Sequence, residues 1–282
     1  ALDFRETAPA RAGRDMFLGP DGRPVPKSST TTALAVATPG SVRGYAEAHR
    51  RLGRLSWEEV VAPAERLARE GFRVSVGLSR DLAESRELLT RWEETRRLFF
   101  PEGEPLAGGA LLRQPELAST LARIAREGPE AFHRGDVAAR LVAFVKAHGG
   151  VLAQEDLAGY APVWRVPEEI RYGRLVVHAM PLPSSAGQIL RSVLAQLEVA
   201  RGLARGLDAD SYHLLLEAER RAYADRNRWL GDGDCSVVPL GEILAPERLA
   251  ALGASIDPAR ATPSTWVEAS LPRESEETTH LS

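Results

Sequence analysis

The chain has 282 residues, of which 44% are hydrophobic and 27% charged, a balance typical of a folded globular protein. Its 36 basic and 39 acidic residues give a formal net charge of −3. They are spread along the chain and leave no basic face for a phosphate backbone, which argues against a nucleic-acid partner. No stretch approaches the roughly 18 consecutive apolar residues of a membrane-spanning helix.

The first predicted elements are an extended segment and a turn. Residues 1–7 are expected to be extended, and residues 19–24, which are rich in glycine and proline, are expected to form a turn. Helical patterns dominate after residue 40. Ser41 is expected to cap a helix that reaches about His49.

A capping box predicts the start of the next helix. Ser56 is followed three residues later by Glu59, and we expect this pair to open a helix that runs through Arg69 and closes at Gly71. Further helical patterns begin at Ser79, at Pro115 and near Gly135, and a short helical turn is expected at residues 154–157.

The second half of the chain predicts a β segment followed by helices. Residues 169–180 carry tyrosine, leucine and valine before a Pro-Leu-Pro breaker, which favours a β-hairpin. We expect one later helix to be capped by Ser184 and Ser185, a second to be capped by Asp210, and a short third one over residues 246–252. Because no repeat or linker interrupts the chain, the sequence indicates a single domain.

Signatures of several other active sites are lacking in the sequence. The six histidines are scattered without His-x-x-x-His spacing, and Cys235 is the only cysteine, so neither a metal site nor a disulfide is predicted. No Gly-x-Ser-x-Gly elbow is present. The Ser184 and Ser185 pair is therefore interpreted as a helix cap and not as a nucleophile.

Thr278 is a candidate nucleophile, within the sequence Thr-Thr-His at residues 278–280. A threonine at a chain N-terminus carries a hydroxyl together with an α-amine whose pKa of about 7.7–8.0 suits a general base. In a precursor, the same hydroxyl can attack the carbonyl of Glu277, and hydrolysis of the resulting ester frees the amine. Taken alone, this segment is more typical of a solvated polar tail.

Arg5 is a candidate substrate-binding residue within the predicted extended segment. Its planar guanidinium can bind a carboxylate through two parallel hydrogen bonds. Taken alone, an arginine in this position is more often the partner of a structural salt bridge.

Both candidates lie in segments that resemble one family. Residues 2–9 and 278–280 are similar to segments of the γ-glutamyltransferases, also called glutathione hydrolases. Further stretches resemble the large subunit of the same family: residues 14–17, 38–44, 67–72, 149–150 with 155–157, and 222–226.

The resemblance implies an α+β fold, the αββα sandwich of N-terminal-nucleophile hydrolases, with this chain forming most of the helix-rich large subunit. Residues 1–277 would belong to the large-subunit region of a precursor, and residues 278–282 would open the small subunit. The family's sequences extend beyond both ends of this chain, and the small subunit supplies the oxyanion-hole glycines. We therefore expect residues 1–282 alone to be inactive.

The implied activity is transfer of the γ-glutamyl group of glutathione or related amides to water, an amino acid or a short peptide. Thr278 would form the acyl-enzyme after self-cleavage, and Arg5 would bind the donor's α-carboxylate. The resemblance requires no cofactor and implies two kinds of partner, small γ-glutamyl donors and the protein's own small subunit. It also implies a periplasmic or secreted location, with the cytoplasm left open.

The chain departs from the family pattern at two places, and two alternatives to the implied activity are open. Glu277 stands where an amide residue is often found, and its carboxylate opposes the oxyanion that self-cleavage forms. Leu182 and Ala186 depart from a Pro-Pro-Ser-Ser-Gly-Gly-like sequence. The alternatives are a glutaryl or cephalosporin acylase of the same superfamily, and an uncut, catalytically silent homologue.

Overall fold

The computed structural model describes residues 1–200, 206 and 208–269. They divide into two compact units, one formed by Leu2–Val163 and the other by Ala1 with the residues from Trp164 onward. The sequence indicated one domain because the boundary falls inside a short strand, Val163–Trp164, and not in a linker.

The unit of residues 2–163 is mainly helical. Its α-helices are α1 Ser28–Thr31, α2 Ser41–Leu52, α3 Trp57–Glu70, α4 Val76–Glu84, α5 Arg86–Leu89, α6 Glu93–Phe99, α7 Pro115–Glu127, α8 Glu130–His133, α9 Gly135–Ala147 and α10 Gln154–Gly159. Its strands are β1 Leu2–Asp3, β2 Phe72–Arg73 and β3 Leu111–Leu112, and β4 is the boundary strand Val163–Trp164. Strands β2 and β3 pair antiparallel.

Local capping explains where several of these helices begin. Ser56 and Glu59 form the predicted capping box of α3: the Ser56 Oγ accepts from the Glu59 amide at 3.3 Å, and the Glu59 carboxylate accepts from the Ser56 amide at 2.8 Å. The predicted start of a helix at Ser79 was wrong. Helix α4 begins three residues earlier, because the Oγ of Ser75 accepts from the Leu78 amide at 3.0 Å and caps it.

Helix α2 begins without a side-chain cap. Ser41 is its first residue and Gly40 occupies the N-cap position, so the predicted cap by Ser41 was wrong. The glycine is required by space, since a β-carbon at residue 40 would overlap the Tyr160 hydroxyl and the Phe4 carbonyl. Close packing, and not capping chemistry, therefore selects the residue at this helix start.

The interior of this unit is formed by several helices. One cluster of buried side chains lies around α9 and α10 and comprises Ala33, Ala138, Val142, Val145, Leu152 and Leu157. Helices α3 and α7 pack together, and the indole nitrogen of Trp57 donates to the Ile124 carbonyl at 2.8 Å. The helix start predicted at Pro115 is confirmed by α7, and the start predicted near Gly135 is confirmed by α9.

The second unit combines a hairpin with longer helices. Strands β5 Glu168–Tyr172 and β6 Leu175–Ala179 pair antiparallel, which confirms the predicted hairpin. The helices are α11 Ala186–Ala200, α12 Ala209–Trp229, α13 Leu240–Ile243, α14 Pro246–Ala254 and α15 Ser264–Ala269. Asp208 caps α12 through its side chain, which accepts from the Ser211 amide at 2.8 Å, so the prediction of Asp210 was wrong by two residues.

Buried ion pairs accompany the apolar core of this unit. Leu197 and Ala218 are among its most buried side chains, and Glu217 on the same helix as Ala218 is only 2% exposed. The Glu217 carboxylate accepts from Arg221 at 2.8 Å and also from Arg220. Among the described helices, none has the length and apolar composition needed to cross a bilayer.

Candidate functional site

The structure places one of the two predicted site residues. Arg5 follows strand β1, and its side chain is exposed. Thr278 lies outside the described residues. The geometry of the candidate site is therefore that of the arginine segment, defined as residues 3–7.

The main chain of Arg5 is bonded on both sides. Its amide donates to the Asp3 Oδ1 at 3.1 Å, and its carbonyl accepts from the hydroxyl of Tyr160 at 2.9 Å. Asp3 and Tyr160 are both buried, at 9% and 7% exposed. The backbone of the exposed arginine is thus fixed by side chains that lie in the interior.

The end of the arginine segment is joined to the strand-like backbone before α2. Thr7 and Thr38 exchange two main-chain hydrogen bonds, of 3.2 and 2.8 Å, in an antiparallel bridge. A further bond lies just beyond the segment, where the Ala10 amide donates to the Asp156 Oδ1 at 2.8 Å. The other carboxylate oxygen of Asp156 accepts from the Ala153 amide at 2.8 Å, at the start of α10.

Two glycines of α2 and its N-cap let the segment approach the helix closely. A β-carbon at Gly44 would overlap the ring of Phe4, and one at Gly40 would overlap the Phe4 carbonyl. The Phe4 ring also contacts the ring of Tyr45, with centroids 5.3 Å apart. The residue before Arg5 is therefore packed against α2 at van der Waals distance.

Tyr160 is itself held in place by Arg43 and His133. Tyr160 is the C-cap of α10, and the Arg43 guanidinium donates to the carbonyls of Ala158, at 3.0 Å, and of Tyr160. These are carbonyls at the end of a helix, which lack intrahelical partners and attract a cation. The other side of the Arg43 guanidinium binds Glu130 at 2.9 Å.

The ring of Tyr160 stacks on a fully buried histidine. The ring centroids of His133 and Tyr160 lie 6.0 Å apart, with the planes within 20° of parallel. The His133 Nδ1 lies 3.0 Å from the Leu157 carbonyl, an acceptor that requires this nitrogen to carry a proton. Burial and the nearby Arg43 cation lower the pKa of His133, and they outweigh the Leu157 hydrogen bond and the Glu130 charge, so the ring is neutral at pH 7.

Electrostatics keep the Tyr160 hydroxyl protonated. Burial raises the pKa of Tyr160 to about 12, and the negative charges of Asp3 and Glu6 act in the same direction. A protonated phenol can donate to the Arg5 carbonyl, whereas a phenolate cannot. The bond that fixes Arg5 is therefore available across the neutral pH range.

The resulting arrangement suits recognition of a small anion. A guanidinium on a fixed main chain presents two parallel N–H donors from a defined position, which matches the two oxygens of a carboxylate. The alternative is a structural salt bridge within the protein, and substitution of the arginine distinguishes the two.

Comparison with known proteins decides the family. The model for the γ-glutamyltranspeptidase family matches residues 1–282, which is the whole chain. The chain is 40% identical over 286 residues to the glutathione hydrolase proenzyme of Escherichia coli K12, a match that covers 100% of this chain and 49% of that protein.

The chain belongs to the γ-glutamyltranspeptidase family. The solved structure of the γ-glutamyltranspeptidase from Helicobacter pylori superimposes with a TM-score of 0.89 at 34% identity, covering 94% of this chain and 76% of that one. The predicted fold class is confirmed by this match, since the described residues have the helix-rich structure expected for a γ-glutamyltranspeptidase large subunit.

An acylase is also among the relatives of this γ-glutamyltranspeptidase family member. The acylase ACY 1 proenzyme of a Pseudomonas species is 33% identical over 291 residues, covering 99% of this chain and 51% of that protein. The chain therefore spans about half the length of these full-length relatives.

Sequence reasoning missed the residues that support Arg5. Gly40 and Arg43 lie in the stretch 38–44, which the sequence marked as similar to the family without giving it a role near Arg5. Tyr160 carried no signal, because it lies 155 residues from Arg5 and only the fold brings them together.

The remaining candidates do not contribute a second site. The Ser184 Oγ accepts from the Ala186 amide at 3.4 Å, and the Ser185 carbonyl accepts from the Ile189 amide at 3.0 Å, which is the geometry of a helix start. Within residues 1–200, 206 and 208–269, no group of three histidine, cysteine or acidic side chains is placed to hold a metal ion.

Proposed function

We propose that the protein is a γ-glutamyltransferase and glutathione hydrolase. The observation that carries this proposal is the family match over all 282 residues, together with an exposed arginine on a fixed main chain at residue 5. The donor is glutathione or a related γ-glutamyl amide, and Arg5 binds its α-carboxylate.

The proposed reaction uses Thr278 after cleavage of the bond that follows Glu277. The Thr278 hydroxyl attacks the γ-carbonyl of the donor, and its proton passes to the α-amine of the same residue. The γ-amide bond breaks, its amine leaves with that proton, and a γ-glutamyl ester remains on the threonine. Water or the amino group of an acceptor then attacks this ester and restores the hydroxyl.

Self-cleavage yields the second partner of the proposal, the small subunit that begins at Thr278. The term proenzyme in the names of both full-length relatives supports this processing. A periplasmic or secreted location remains a prediction from the resemblance.

Mass spectrometry of the purified full-length protein tests the processing step. We expect two polypeptides, one of which begins at Thr278. A single uncut polypeptide in an active preparation would overturn the mechanism, and an uncut inactive one would support a catalytically silent homologue.

Exchange of Arg5 for lysine tests the role of the guanidinium. Arg5→Lys keeps the charge but removes the two-donor fork, so we expect kcat/KM for a γ-glutamyl anilide to fall about 10- to 100-fold, in line with a lost charged hydrogen bond. Arg11→Lys is the matched control, because Arg11 is an exposed arginine outside the arginine segment. Its kinetics should equal those of the unmodified protein.

The acylase relative motivates the second candidate function. A glutaryl group keeps the carboxylate that Arg5 is proposed to bind and lacks only the α-amino group of a γ-glutamyl donor, so the two activities differ in their need for that amino group. We expect the unmodified protein to cleave the γ-glutamyl anilide faster than the glutaryl anilide. Equal or inverted rates would favour the acylase.

A further inference from the structure

We propose that Tyr160 is a positioning residue for donor binding, because its hydroxyl fixes the main chain from which the Arg5 guanidinium meets the α-carboxylate. This inference rests on the proposed role of Arg5. Tyr160 itself does not contact the substrate in this proposal and takes no part in bond breaking.

The first support is the position of the bond within the arginine segment. Strand β1 ends at Asp3, and the bridge to Thr38 begins at Thr7, so Arg5 lies midway between two fixed points. The 2.9 Å bond from the Tyr160 hydroxyl to the Arg5 carbonyl joins this midpoint to the end of α10. Loss of the bond would allow the Arg5 backbone to shift while both ends of the segment stay in place.

The second support is the rigidity of the tyrosine. The ring lies against His133, the hydroxyl lies against Gly40, and the backbone carbonyl accepts from Arg43. These contacts come from α8, from the N-cap of α2 and from α2 itself. A hydroxyl that is held by three such contacts fixes the position of the carbonyl to which it donates.

The third support is the geometry required by a guanidinium–carboxylate ion pair with two parallel hydrogen bonds. Both hydrogen bonds form only when the guanidinium and the carboxylate are placed within about 0.5 Å and 10–20° of the productive arrangement. A small displacement of the Arg5 backbone therefore weakens donor binding. The chemical step at Thr278 uses other groups, so its rate should change little once the donor is bound.

Tyr160→Phe in the full-length protein is the test, because it removes only the hydroxyl. We expect KM for the γ-glutamyl anilide to rise about 3- to 10-fold, the range of one neutral hydrogen bond, with kcat within about twofold. KM for the 4-aminobutyryl anilide, which is the γ-glutamyl donor without its α-carboxylate, should not change, because that donor offers Arg5 no carboxylate. A general loss of structure would affect both donors alike and would overturn the proposal.

Tyr45→Phe is the matched control. Tyr45 packs its ring against Phe4, beside Arg5, so the variant makes the same chemical change near the same segment while keeping this ring contact. We expect KM for both anilides to equal that of the unmodified protein. An equal rise in KM for Tyr45→Phe and Tyr160→Phe would overturn the specific role of the Tyr160 hydroxyl.

A variant that keeps a hydrogen-bond donor on the ring of residue 160 gives a result even where Tyr160→Phe is unstable. 4-Aminophenylalanine at position 160 keeps the ring and places an N–H donor close to the Arg5 carbonyl. We expect its KM for the γ-glutamyl anilide to stay within about twofold of the unmodified value. A KM raised as far as in Arg5→Lys, in a protein of unchanged thermal stability, would overturn the proposal.

The Arg5→Lys variant separates the two inferences. If Arg5→Lys raises KM and Tyr160→Phe does not, the positioning role fails and the role of Arg5 stands. If Arg5→Lys leaves KM unchanged, the proposed function of Arg5 fails first. In the double variant, we expect Tyr160→Phe to add less than twofold to the KM of Arg5→Lys, because the two residues act on the same contact.

Discussion

Gly40 shows at the scale of one residue how the fold selects a side chain. The sequence offered Ser41 as the cap of α2, a sound local argument, yet the N-cap position is occupied by a glycine that no local rule required. The reason is non-local, since the Tyr160 hydroxyl and the Phe4 carbonyl fill the space of a β-carbon. Arg5 could be singled out from the sequence through its motif, but its neighbours could not.

The glycine leads to a prediction about stability. Gly40→Ala should lower the free energy of unfolding by about 1–3 kcal/mol, because the added methyl group forces Tyr160 and the arginine segment apart. Gly159→Ala is the control, since nothing lies within 4 Å of a β-carbon at that residue. Urea unfolding of both variants checks this, and an equal effect of the two substitutions would contradict it.

At the scale of the element, the predictions that were right depended on neighbours in sequence. The capping box of α3 and the hairpin of residues 168–179 were found because their signals lie within a few residues of each other. The predicted starts of α4 and α12 were wrong because more than one polar residue could serve as the cap. Sequence alone gives the presence of a helix more reliably than its first residue.

The capping box can be tested against a serine that does not cap. Ser56→Ala should reduce the free energy of unfolding by about 1 kcal/mol, because the first turn of α3 loses its acceptor. Ser41→Ala should change it by less than about 0.5 kcal/mol, since Ser41 makes no side-chain cap to α2. Chemical denaturation of the two variants measures both values, and a larger loss for Ser41→Ala would refute this account of the two helix starts.

At the scale of the whole molecule, contacts between residues that are distant in sequence produce features that the sequence did not predict. The division into two units was not foreseen, and neither was the burial of Glu217 in the second unit, where the sequence showed only charges interleaved with apolar residues. The carboxylate of Glu217 accepts from Arg221 at 2.8 Å and from the Thr262 amide at 3.3 Å, and Thr262 lies 45 residues away. Partners at that separation leave no pattern in a sequence.

The buried carboxylate predicts a loss of stability in acid. Burial opposes ionisation of Glu217, but hydrogen bonds from Arg221, Thr262 and Arg220 outweigh it and lower its pKa from 4.5 to about 2. The stabilisation is therefore complete above pH 4.5 and is lost as the pH falls toward 2, because the unfolded chain takes up a proton first. From the size of this shift, we expect a contribution of about 3 kcal/mol at neutral pH.

Glu217→Gln should remove this contribution. Relative to the unmodified protein, the variant should be less stable at pH 7, and the difference should narrow between pH 4.5 and 2. Glu198→Gln, at an exposed position of α11, should match the unmodified protein throughout. Urea unfolding at several pH values measures the difference in the free energy of unfolding. A difference that stays constant with pH would show that it does not come from ionisation of Glu217.

The phenol at residue 160 has a consequence for how catalysis responds to acidity. A group with a pKa of about 12 does not change its charge at any pH that a cell experiences. The hydrogen bond from this phenol to the Arg5 carbonyl is therefore independent of pH in that range. In the proposed mechanism, the free amine of Thr278 is the group expected to make turnover sensitive to pH near neutrality, and the bond from Tyr160 to Arg5 is not.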